Sequence, residues 1–183
     1  MLTIELFGIS RTGKTSTLRG LASKLEGQGA KCEVIGRPQI SFKECNDMED
    51  FHDRLLKYLE TSMAQSRNAK PDYVIMDRGP YDREVMLEAD HDDKQVSTPF
   101  YRETRNKLIT LQHEINIPFL FLIDPTTSLQ RVHSQRDEGL AYAHLCDGLN
   151  TRDNTQELQQ LFDRYAALRS TKQGIVSAYT SGD

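Results

Sequence analysis

The sequence predicts an α/β fold, a five-stranded parallel sheet with helices on both faces, and three observations carry that prediction. Short apolar runs alternate along the chain with segments of helical periodicity, the pattern of successive strand–helix–strand units. The run Pro118-Phe119-Leu120-Phe121-Leu122-Ile123 is apolar without interruption, as a strand is when both of its faces are covered. The chain has 183 residues, 37% hydrophobic and 27% charged, which suits one soluble globular domain with a sizeable core.

Taken in order, residues 2–7 (Leu-Thr-Ile-Glu-Leu-Phe) read as the first strand. A helix is expected over residues 14–28, stopped by Gly29. Cys32-Glu33-Val34-Ile35 is a short second strand. Residues 47–66 are helical, with Met48, Phe51, Leu55, Leu59 and Met63 along one face. Residues 71–77 form a third strand that ends in an acid. Short and long helices are expected over 81–90 and 98–116, joined by the polar loop 90–94. Residues 118–124 are the fourth strand. Helices follow over 126–136 and 155–170, with a less regular stretch between them, and residues 174–179 are a weaker fifth strand.

Composition excludes several classes. The net charge of −4 gives no global basic character for non-specific nucleic-acid binding. No apolar run reaches membrane-spanning length. Met1 leads at once into a core strand, which leaves no room for a signal peptide. Cys32, Cys45 and Cys146 are odd in number and widely spaced, so neither a disulfide framework nor a CxxC site is expected, and the compartment reads as a reducing cytoplasm.

Between the first strand and the first helix lies Gly8-Ile9-Ser10-Arg11-Thr12-Gly13-Lys14-Thr15, followed by Ser16. This is G-x-x-x-x-G-K-[ST] in the context the P-loop motif requires. Gly8 and Gly13 permit a tight turn and close approach of backbone to phosphate. The loop amides and the helix N-terminus attract an anion. Lys14 is expected on the solvent face of the loop, reaching the β- and γ-phosphates of ATP, with the Thr15 hydroxyl on Mg²⁺. The expected architecture is thus a three-layer P-loop NTPase fold, one domain over residues 1–183. Asp77 ends a strand at the side where a parallel sheet places its ligand crevice, and is a second candidate for Mg²⁺.

The run Asp77-Arg78-Gly79-Pro80-Tyr81-Asp82-Arg83 extends the argument. With the P-loop, it resembles the P-loop nucleoside and nucleoside monophosphate kinases of the thymidylate kinase and deoxynucleoside kinase group. Asp77-Arg78 matches their acid–Arg pair after the third strand, and Arg83 a further arginine. Residues 123–131 resemble the exit of the fourth strand into a lid helix, Arg136 falls where lid arginines begin, and Thr151-Arg152-Asp153-Asn154, followed by Arg164-Tyr165, resembles the lid exit. The resemblance implies a lid over 137–152 and an ATP-dependent phosphotransferase. Lys14, Asp77, Arg78, Arg136 and Arg152 would be catalytic, and Arg37, Arg78 and Arg83 would bind the acceptor. Asp77, with Asp82 behind it, is the nearest acid to take a hydroxyl proton. The chain departs from the group at Arg37-Pro38, where an acid–Pro pair is usual, so the general base stays open.

The acceptor expected is a nucleoside or nucleotide, with a modified nucleotide within DNA or a small alcohol as alternatives. A P-loop ATPase or GTPase switch is disfavoured. The guanine motif Asn-Lys-x-Asp is missing, and Asp77-Arg78-Gly79 lacks Asp-x-x-Gly spacing. His91-Asp92-Asp93 and His144-Leu145-Cys146 have no recognised zinc spacing.

Overall fold

The computed structural model of the chain describes residues 1–9, 12–128, 130–131 and 155–179. Five strands form one sheet: β1 (Leu2–Gly8), β2 (Cys32–Ile35), β3 (Tyr73–Asp77), β4 (Ile117–Leu122) and β5 (Val176–Tyr179). Their order is β2-β3-β1-β4-β5, and every pairing is parallel. The helices are α1 (Lys14–Gly27), α2 (Met48–Ala69), α3 (Pro80–Asp92), α4 (Thr98–Gln112) and α5 (Thr155–Thr171). Residues 125–128 are helical as expected, and most of the remainder of that predicted helix lies outside the described residues.

Strand alternation divides the core between the two faces of the sheet. Ile4 and Leu6 of β1, Ile75 of β3 and Phe121 of β4 pack on Leu18 and Ala22 of α1. On the other face, Val74 and Met76 pack with Leu56, Leu59 and Met63 of α2, Leu87 of α3 and Leu108 of α4. Beside them, Phe7, Leu120 and Leu122 pack with Val85 of α3 and Tyr165 and Leu168 of α5. The arrangement is three-layered, with α1 on one side and α2 to α5 on the other.

Several boundaries differ from the sequence expectation, each with a local cause. Helix α2 continues past residue 66 because Ser66 is buried and Arg67 pairs with Glu114 at 2.6 Å; it stops in a left-handed Lys70 just before Pro71. Helix α3 starts at Pro80 and runs into the segment expected as a polar loop, as far as Asp92. Inside it, Asp90 is buried against His52, Nε2 to Oδ2 at 2.9 Å. Helix α4 ends at Gln112 rather than 116, freeing Asn116 to accept the amide of Thr3 at 2.7 Å.

Candidate active site

The C-terminal ends of β1 and β3 and the N-termini of α1 and α3 meet in one place, the crevice that a parallel sheet opens at its strand ends. Gly8 closes β1 with φ 118, and a Cβ there would stand 2.1 Å from the carbonyl oxygen of Phe121. Only glycine lets the loop begin this close to β4. Gly13 caps α1 in the left-handed region at φ 86. Ser10 and Arg11 of the loop lie outside the described residues.

Thr15 and Asp77 come together as the sequence predicts: the Thr15 hydroxyl donates to Asp77 Oδ2 at 3.0 Å. Lys14 does not lie where it was expected. It is the first residue of α1 and is 5% exposed. Its Nζ donates to the Gly8 carbonyl at 2.9 Å, to the Ile9 carbonyl, and to the Thr12 hydroxyl at 3.1 Å. A buried ammonium must be satisfied, and these loop oxygens satisfy it. Burial, followed by the Arg78 charge, pulls Lys14 well below its ordinary range.

Asp82 organises the other half of the site. It is fully buried at position N3 of α3 and accepts from four directions. Arg78 Nη1 donates to both its oxygens at 3.2 and 3.1 Å. The Tyr165 hydroxyl donates at 2.8 Å, the Gly8 amide makes a longer contact of 3.4 Å, and Arg83 lies 3.8 Å away. Burial alone would raise this carboxyl, but Arg78, Arg83, Lys14 and the Tyr165 hydroxyl outweigh it and bring Asp82 to about 2. That corrects its expected role. An acid held this low and fully enclosed is a poor proton acceptor, so it is an anchor for arginines.

Arg78 has φ 66, an uncommon conformation for a bulky residue, fixed by its amide bonding to the Leu6 carbonyl at 3.0 Å. Burial opposes its charge, and Asp82 overrides that to hold it well above its ordinary value. Arg83 is buried and shifted down, chiefly by desolvation. Arg37 is exposed on its outer side, yet crowding towards the site, then the charges of Arg78 and Arg83, lower it to about 10. Arg37, Arg78 and Arg83, expected on the acceptor side, therefore lie close enough for their charges to act on one another. Arg136, Arg152 and the expected lid at 137–152 lie outside the described residues, as do His144 and Cys146.

One central residue escaped the sequence reading. Glu5, in the middle of β1, is fully buried and faces α3. Its Oε1 accepts the amides of Gly79 at 2.9 Å and Asp82 at 3.0 Å, and its Oε2 accepts that of Tyr81 at 3.1 Å. A carboxylate from the sheet thus caps the helix that carries Asp82 and Arg83. Desolvation raises Glu5 to about 8 against the pull of these amides. The signal was present: an acid in the middle of a doubly covered strand has to find donors.

Other candidates resolve into packing. His91 stacks on Tyr101 at 4.3 Å, and Asp92 pairs with Arg164 at 2.7 Å. Arg105 pairs with Glu84 at 3.1 Å. A shallow cavity of about 600 Å³ lined by Leu2, Gly29, Asp72 and Tyr73 sits at the opposite, N-terminal end of the strands.

No protein-family model and no curated relative matches the chain. Solved structures do. Deoxyadenosine kinase from M. mycoides with bound dATP superposes with a TM-score of 0.68 at 14% identity, covering 99% of this chain and 91% of that one. The chain has the P-loop kinase fold. The same M. mycoides kinase with the products dCMP and a flexible dCDP gives 0.62 at 13% identity, over 99% and 91% of the two chains. With bound dCTP it gives 0.60 at 16%, over 99% and 90%. At these identities the likeness is one of fold, and the P-loop kinase fold of this chain spans nearly its whole length.

Among the described residues, no helix is long and apolar enough to cross a membrane, and no cluster of three or more His, Cys, Asp or Glu could hold a metal. Two oxygen ligands, Thr15 and Asp77, suit Mg²⁺, which keeps several waters and takes the remaining oxygens from phosphates.

Proposed function

We propose that this protein transfers the γ-phosphate of ATP to a nucleoside- or nucleotide-type acceptor. The observation that carries the reading is the pairing of Thr15 with Asp77 at 3.0 Å directly beside Lys14 and the Gly8 turn. A glycine-rich turn that arose by chance has no reason to bring the acid of β3 onto the hydroxyl that follows its lysine. The structural neighbours are structures of one deoxyadenosine kinase with deoxynucleotides bound, which supports an acceptor of that class.

Phosphoryl transfer asks for positioning and charge neutralisation more than for covalent chemistry. In this reading the loop amides hold the donor phosphates. Lys14 exchanges the Gly8 and Ile9 carbonyls for phosphate oxygens. Thr15 and Asp77 would hold Mg²⁺, which when bound offsets charge on the β- and γ-phosphates. Arg78, fixed by Asp82, orients the acceptor with Arg37 and Arg83. Arg136 and Arg152 are proposed to neutralise charge on the transferred group.

The test is Lys14→Ala, with turnover and unfolding measured on the same preparation. Transfer of labelled phosphate from ATP to a panel of nucleosides and nucleotides should fall by at least about a thousandfold. Stability should also fall, by about 1–3 kcal/mol, because three loop oxygens lose their buried donor. Wild-type turnover in the folded variant overturns the kinase reading.

A further inference from the structure

Each of the last four residues of β1 grips the turn between β3 and α3. Glu5 accepts the amides of Gly79, Tyr81 and Asp82 at 2.9, 3.1 and 3.0 Å. The Leu6 carbonyl accepts the Arg78 amide at 3.0 Å. Phe7 stacks on Tyr81, with ring centroids 5.5 Å apart. Gly8 reverses the direction, its amide lying 3.4 Å from Asp82 Oδ1. Glu5 thus takes the amide of Asp82, and Asp82 takes that of Gly8. Such reciprocity closes the first turn of a helix in a capping box; here it clasps a strand to a helix.

The two ends of the clasp lead to different sides of the crevice. Gly8 opens the loop read as the phosphate cradle of the donor. Asp82 lies 3.1 Å from Arg78 and 3.8 Å from Arg83, on the side read as the acceptor's. The clasp has no slack: Glu5 is fully buried, and a Cβ on Gly79 would stand 2.9 Å from its Oε2. Leu6 and Gly8 take part through backbone atoms and Phe7 through packing, so Glu5 is the polar side chain of the four. An apolar residue is the ordinary occupant of a strand covered on both faces, and would leave these three amides without their acceptor.

We infer that Glu5 is a positioning residue of the transfer reaction, setting the spacing between the P-loop and the α3 turn and hence the alignment of donor with acceptor. The inference rests on the kinase reading and adds to it a residue enclosed beneath the crevice. Transfer needs the reacting atoms about 3–3.5 Å apart and in line, and a displacement of about 1 Å can cost about a hundredfold in rate. Binding of ATP draws on one end of the clasp only, so it is far less sensitive to that spacing.

The experiment compares Glu5→Asp with Glu5→Gln. Aspartate keeps the acid but stops one methylene short of the amides. Glutamine keeps the length and an oxygen for the Gly79 and Asp82 amides. Transfer of labelled phosphate from ATP is first measured for the wild-type protein across the deoxynucleosides and their monophosphates, and the best acceptor is used throughout. In Glu5→Asp, kcat per folded molecule should fall about 10- to 100-fold. Its KM for ATP and its affinity for a non-hydrolysable ATP analogue should hold. Glu5→Gln should restore most of the lost kcat. Amide hydrogen exchange without substrates should quicken at Gly79, Tyr81 and Asp82 in Glu5→Asp, and less in Glu5→Gln. Gly79→Ala presses on the same contact from the helix side and should give the same selective loss of kcat, so the test does not hang on one variant folding. Wild-type kcat in Glu5→Asp or Gly79→Ala, an equal loss in Glu5→Gln, or a loss matched by weaker analogue binding overturns this inference and leaves the kinase reading intact. Absence of transfer from ATP to every acceptor by the wild-type protein overturns both.

Discussion

At Asp82 one buried carboxylate ties together residues far apart in the chain: Gly8, Arg78, Arg83 and Tyr165. The Tyr165 hydroxyl is the simplest of these ties to cut. Tyr165→Phe should cost about 1–3 kcal/mol, since it removes a buried donor from a charged acceptor and keeps the ring in the core. Urea unfolding of the two proteins measures this, and equal stability would show that Asp82 is satisfied by its other partners without the tyrosine hydroxyl. The sequence made the P-loop, Asp77-Arg78 and the arginines legible because each belongs to a short motif with a known spacing. It did not make legible that Tyr165 reaches Asp82, because the two are 83 residues apart and nothing local to a tyrosine inside a helix points to so distant a partner. Nor did it reveal that Lys14 is buried: whether a loop lysine points outward or folds back onto its own carbonyls depends on tertiary geometry.

At the scale of elements, the strands were the most legible part, because parallel strands covered on both faces are short apolar runs with little competing interpretation. Helix ends were less so, since they are set by long-range partners such as His52 for Asp90 and Glu5 for the start of α3. Two glycines separate local propensity from such partners. Gly20 lies inside α1 with open space around it, so Gly20→Ala should stabilise by about 0.5–1 kcal/mol through helix propensity. Gly79 caps α3, and a Cβ there would stand 2.9 Å from both Cδ and Oε2 of Glu5. Gly79→Ala should therefore destabilise, by about 1–3 kcal/mol, as overpacking does. Thermal unfolding should move in opposite directions for the two variants. A shared direction would mean that Glu5 yields its position at little cost.

For the molecule as a whole, Glu5 and Asp82 give stability opposite responses to pH. Glu5 rises from 4.5 to about 8 on folding, so between those values the folded chain keeps a proton that the unfolded chain releases. Its contribution is complete below pH 4.5 and is lost as pH climbs through about 8. Asp82 falls from 3.8 to about 2, so its contribution is complete above pH 3.8 and is lost as pH drops through about 2. Stability should fall between mildly acidic and mildly alkaline pH, with a second decline in strong acid. In Glu5→Gln, whose amide oxygen can still accept the Gly79 and Asp82 amides, the first decline should flatten and the second remain. Urea unfolding across that range tests this, and an unchanged slope in Glu5→Gln would place the titrating group elsewhere.

The contact between Glu5 and Gly79 also constrains how such a chain can vary over generations. The two positions are 74 residues apart in the chain and form one unit in space. While an acid occupies the fifth position, the residue opening α3 is confined to glycine, because a larger side chain meets the carboxylate. Once the acid is lost, that restriction lifts, and α3 needs another acceptor for its first amides. Chains descended from a common ancestor should therefore keep both residues or exchange both. An intermediate holding glycine without the acid is the easier path between them, since it leaves an uncapped helix but no clash.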